Sequence, residues 1–118
     1  MTKFMLLIHG DHEAWESMGD DEIARLQEGH LRFVEAAGSA VVDSGELESS
    51  AQAVTLRSRD RGMGTTAGPF AETREVVGGF YVIDVTELDD AVRLARLLPE
   101  TTAPYTAGVE IRPLVDHG

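Results

Sequence analysis

Four histidines and no cysteine set the chemistry open to this 118-residue chain. His30 has the most suggestive setting. At ~100° per residue, Ile23, Leu26, His30, Phe33, Val34 and Ala37 fall on one helical face. His30 stands mid-stripe, where its imidazole would act as a general acid or base near neutral pH. The competing reading is a core histidine satisfied by one partner. His9 and His12 flank Asp11 in HGDH, but their spacing fits no zinc pattern and includes no helical i, i+4 pair. No metal is therefore expected. His117 sits in a terminal tail. The missing cysteines remove disulfides, thiolate zinc sites and a cysteine nucleophile. Ser44, Ser49 and Ser50 lack the GxSxG context of a serine hydrolase. Gly62, Gly64, Gly68, Gly78 and Gly79 follow no phosphate-binding spacing and lead into no helix, so no cofactor is expected.

A second group lies in TTAGPFAETREVVGGFYVIDV, residues 65–85. Here a Gly68-Pro69-Phe70 turn and the charges Glu72, Arg74 and Glu75 precede a strand-like run. Pro69 fixes the chain direction and Gly68 permits a backbone angle other residues resist. Phe70 is expected to lock the turn by burial, so that the segment walls a cleft approached by His30. Phe70, Glu72, Arg74 and Tyr81 are the candidate ligand-binding residues, since loops on a rigid scaffold often carry binding groups. A solvated charge group and a Phe70 plugging a core or dimer seam make up the plainer alternative. Tyr81 shares a strand face with Ile83 and Val85, directed towards a partner or a pocket. Glu110 and Arg112 share a face of an outer strand, where cross-strand pairing accounts for them.

The elements that must position these residues follow from pattern. KFMLLIH (3–9) and FYVIDV (80–85) read as strands apolar on both faces, which implies cover on both. GDHEAWESMG reads as a loop. A helix runs from Asp20 to Ala37, with acids at its start and Gly38 at its stop. Residues 40–47 and 52–59 are strands, and RDRGMGTTAGP is turn-rich. Thr86 with Asp89 resembles a capping box opening a helix to about Leu98, and VEIRPL (109–114) alternates as a last strand. The order matches a ferredoxin-like split βαβ sandwich of α+β class. Two helices cover one sheet face, so a second copy is expected on the other, giving a homodimer.

With 42% hydrophobic residues the chain can build one core as a single domain over residues 1–118. Ten basic against twenty-one acidic residues give a net charge of −11, which opposes binding to the nucleic-acid backbone. Arg57, Arg59 and Arg61 are too small a group to reverse that. The apolar run KFMLLIHG is too short for a membrane span and lacks signal-peptide features, so a cytoplasmic protein without a membrane partner is expected.

MLLIHGDHEAW, HLRFVEAAG, GPFAETREVVGGFYVIDV and VEIRPL, in that order, resemble a DGPF-type member of the YCII-related family. The resemblance implies a dimeric α/β barrel built on the ferredoxin-like fold. Its GPFAET–GGFYVID block is the specific part; Ala67 stands where the branch's motif has aspartate. Relatives in the wider group resemble small lyases or dehydrohalogenase-type enzymes using a histidine–aspartate pair, and His30 matches that histidine. The family's aspartate is left unmatched, since the segment after the second helix reads PETTAPYTAG. Other DGPF relatives are associated with sigma factors. Two functions follow: a small-molecule-binding or regulatory module with sigma-factor-linked regulation, or a cofactor-independent lyase, isomerase or dehydrohalogenase using His30. An oxygenase of the same fold has no distinguishing motif here. The missing motif aspartate tips the reading towards the module.

Overall fold

A computed structural model describes residues 1–59, 62–71 and 73–118. The chain runs β1 (Thr2–Asp11), α1 (His12–Glu16), α2 (Asp20–Ala37), β2 (Val41–Glu46), β3 (Val54–Arg59), β4 (Gly62–Ala67), β5 (Glu75–Val85), α3 (Leu88–Ala95) and β6 (Ala107–Pro113). Four strands form one antiparallel sheet in the order β2-β5-β1-β6. The doubly apolar strands β1 and β5 are its two inner members, where both their edges are hydrogen-bonded.

The expected ferredoxin-like sandwich closing into a dimeric α/β barrel is overturned. The fold is mixed α/β with an open sheet, whose edges β2 and β6 are not joined. A barrel needs every strand edge paired around a closed ring. Here β3 and β4 pair with each other as a separate two-stranded ribbon instead of extending the main sheet.

Helices cover one face of the sheet. Phe4, Leu6 and Ile8 of β1 and Tyr81, Ile83 and Val85 of β5 pack there with Phe33, Ala91, Ala95 and Leu98. Leu6, Phe33 and Ile83 are fully buried. The α2 stripe is narrower than its periodicity suggests: Ile23 and Val34 are 39% and 41% exposed, leaving Phe33 as the anchor. The start of α3 lies one residue beyond the expected capping pair. Glu87 and Asp90 make the reciprocal box, and Leu88 stays exposed.

Two short elements escaped the pattern. Asp11 accepts from the amides of Glu13 and Ala14 and so starts α1, a single turn inside the expected loop. The glycine-rich stretch read as turns contributes β4, whose partner β3 carries the regular alternation. The β1–β5 register slips between Ile8 and His9: Ile8 pairs with Gly79, but His9 pairs with Val77. Gly78 is the extra residue. Such a bulge moves the following side chains to the other face, bringing Val77 beside His9.

Candidate functional site

α2 carries His30 over the sheet beside β5, while the single-turn helix Pro99–Thr101 after α3 arrives from the other side. Pro99 opens that turn, Leu98 anchors it in the core, and Thr101 closes it by donating its hydroxyl to Leu98 O at 2.8 Å. Gly29 makes the approach possible, since a Cβ there would lie 2.9 Å from Pro99 Cγ. The result places His30 Nε2 2.8 Å from Glu100 Oε2 and Nδ1 2.8 Å from the Tyr81 hydroxyl. Glu100, from the PETTAPYTAG segment, is thus the carboxylate that His30 meets.

The three groups differ in access. The Glu100 side chain is 2% exposed and that of His30 25%. Tyr81 is buried on the helix side, its ring 4.6 Å from Phe33 and stacked on His30, not turned towards a partner as expected. Burial raises its phenol pKa above the ordinary value, and the charges of Glu100 and Glu46 raise it further. Glu100 Oε1 is buried and has no hydrogen-bond partner among the described residues.

Proton placement follows from this geometry. With a neutral ring, Nε2–H donates to Glu100 and Nδ1 accepts from Tyr81. When Tyr81 gives its proton to Nδ1, the ring becomes a donor to the phenolate oxygen. The arrangement can pass a proton between Tyr81 and the ring while the carboxylate orients the imidazole and offsets its charge.

A neighbouring corner fixes the end of the sheet. The Trp15 ring lies over Gly10 and Gly78, where a Cβ would meet ring atoms at 2.2 and 2.6 Å. Its indole N–H donates to Tyr105 Oη at 3.1 Å. The Tyr105 phenol is also raised, by burial first and by Glu100 and Glu22, with the Trp15 hydrogen bond acting in the opposite direction. Arg74, expected to meet a ligand, pairs through Nε with the buried Asp11 at 2.7 Å. That hydrogen bond is the main reason the Asp11 carboxyl is held below its ordinary range.

The Gly68-Pro69-Phe70 turn does wall a cleft, of about 530 Å³, but His9 is the histidine that lines it. His30, Tyr81 and Glu100 line none of it. Gly68 takes φ +107°, the conformation that favours glycine. Phe70 is 70% exposed instead of buried. The Arg57 guanidinium lies 4.4 Å from its ring centroid and donates to its carbonyl, which holds the turn from outside. His9 Nε2 is 2.9 Å from Glu110 Oε1, and this hydrogen bond foremost, with Arg112, holds the Glu110 carboxyl below its ordinary range. Glu72 lies outside the described residues. The residues expected at one site thus lie in two places, the His30–Tyr81–Glu100 group on the helix side and the cleft beside the turn.

Among the described residues there is no group of three or more histidines or acids that could hold a metal, and no helix long and apolar enough to cross a membrane. The chain is 37% identical over 102 residues to an uncharacterized protein of Rhizobium meliloti (strain 1021), covering 86% of this chain and 80% of that one. The family model of the YCII-related domain matches residues 2–116. On that match the chain belongs to the YCII-related domain family.

Proposed function

We propose that the Glu100–His30–Tyr81 relay catalyses proton transfer on a small molecule, as a cofactor-independent lyase, isomerase or dehydrohalogenase does. The observation that carries this reading is the carboxylate of Glu100, buried against Nε2 of an imidazole that is itself part-exposed. Glu100 Oε1 is buried as well and has no hydrogen-bond partner among the described residues. Positioned acid–base groups of this kind contribute roughly 10²–10⁴-fold in rate.

The test is carbon-acid exchange, followed by NMR in deuterated water with a panel of small carbonyl compounds. The protein should speed deuterium uptake next to the carbonyl, and Glu100→Gln and Tyr81→Phe should each remove most of that acceleration. Rates in both variants equal to that of the parent would end the catalytic reading.

The cleft beside the Pro69–Phe70 turn favours a second reading, a module that holds a small molecule without changing it. The GPFAET block supports assignment to the DGPF branch and, with it, sigma-factor-linked regulation. Either function suits a homodimer of open sheets, because Met5, Leu7 and Phe80 remain partly exposed on the face without helices. Sedimentation at micromolar concentration should give twice the chain mass, and Met5→Asp should return it to one.

A further inference from the structure

The cleft beside the turn has features that select among ligands. Its volume of about 530 Å³ falls within the roughly 300–1,000 Å³ typical of small-molecule sites. Leu47, Pro69, Phe70, Val76 and Val77 give it an apolar wall. Among the described residues that line it, the charged ones are Glu48 and Glu75, with no lysine or arginine. His9 also lines it and is engaged at Nε2 by Glu110. With the proton on Nε2, Nδ1 is an acceptor.

Each feature points to the same chemistry. Carboxylates repel an anion and attract a cation, and the chain's net charge of −11 adds to the bias. An aromatic face attracts cations too, and the Phe70 ring already takes the Arg57 guanidinium on one side. An imidazole acceptor suits an N–H donor. We propose that this cleft binds small apolar amines in their cationic form, with the hydrocarbon part against Val76, Val77 and Phe70 and the ammonium towards Glu48, Glu75 and His9. The proposal rests on the binding-module reading and names its ligand class.

Three probes of one shape separate the proposal from that reading: phenethylamine, 2-phenylethanol and phenylacetate. Binding is followed at neutral pH and low salt by amide shifts of His9, Val76 and Val77. Phenethylamine should shift these amides and bind about tenfold tighter than the alcohol, two exposed ion pairs being worth about that much. Phenylacetate should bind weakest, and added salt should narrow the gap. In a Glu48→Gln, Glu75→Gln variant, the amine should bind no tighter than the alcohol. Phe70→Ala, at an exposed position, should weaken the amine severalfold. If the alcohol or phenylacetate binds as tightly as the amine, the cationic class is wrong and the binding module stands. If none of the three shifts the cleft amides, the binding reading itself falls, and this proposal with it.

Discussion

Replacing His30 by alanine would strand the Glu100 carboxylate where almost no water reaches it, whereas replacing Glu100 would leave an imidazole with a quarter of its surface open. The two changes should therefore differ in size. Stranding a buried charge costs about 3 kcal/mol or more, and an imidazole that can turn to solvent loses about 1–3 kcal/mol. We expect His30→Ala to be the more destabilised variant in urea titrations at neutral pH. Equal losses at both positions would show that Glu100 is not held chiefly by His30. Half of this site was legible in the sequence. The helical period put His30 on the buried face, and Tyr81 fell on the same strand face as Ile83. Glu100 was not legible, because PETTAPYTAG has no period and its place is fixed by the Pro99 turn closing against Gly29. Phe70 misled for a related reason: an aromatic after proline looks like a plug, yet its ring is covered by Arg57 on the surface.

At the scale of elements, the contact between α2 and the Pro99 turn decides whether the relay assembles. Alanine in place of glycine inside a helix ordinarily adds about 1 kcal/mol of stability. At Gly29 the new Cβ would press on the Pro99 ring at 2.9 Å, and overpacking of this kind costs about 1–3 kcal/mol. The clash should prevail or cancel the gain, so Gly29→Ala is expected to be no more stable than the parent in thermal unfolding. It should also weaken the His30–Glu100 hydrogen bond, seen as faster solvent exchange of the imidazole Nε2–H in NMR. A plain gain of stability with that proton still protected would show that the turn can yield. Among the elements, α2 was legible at both ends, since acids start it and Gly38 stops it at φ +56°. β5 proved five residues longer than FYVIDV. Its early part is concealed by Gly78 and Gly79, which break the alternation where the bulge sits. β4 has no apolar alternation to read, and its identity as a strand comes from pairing with β3.

For the molecule as a whole, the open sheet is the feature that local pattern did not reach. Apolar residues on both faces of β1 and β5 told of two inner strands, but closure depends on where β3 and β4 pair, which is a non-local choice. The same folded chain buries Tyr81, half-buries Tyr105 and raises both phenols above the ordinary value of about 10. A folded state that holds these protons more firmly than the unfolded chain is stabilised below the ordinary phenol range. It loses that advantage as pH rises through the folded values. Spectrophotometric titration of the native protein should accordingly place phenolate formation above the ordinary midpoint, and denatured protein should return it there. A native midpoint at or below the ordinary one would contradict that burial. Trp15 turns this titration into two. It is the one indole in the chain and lies 3.1 Å from Tyr105 Oη. A phenolate quenches a neighbouring indole, so the loss of ultraviolet emission follows Tyr105, while the absorbance change counts both phenols. Subtracting one optical curve from the other isolates the ionisation of Tyr81, the hydroxyl bound to His30, without labelling or altering a single residue.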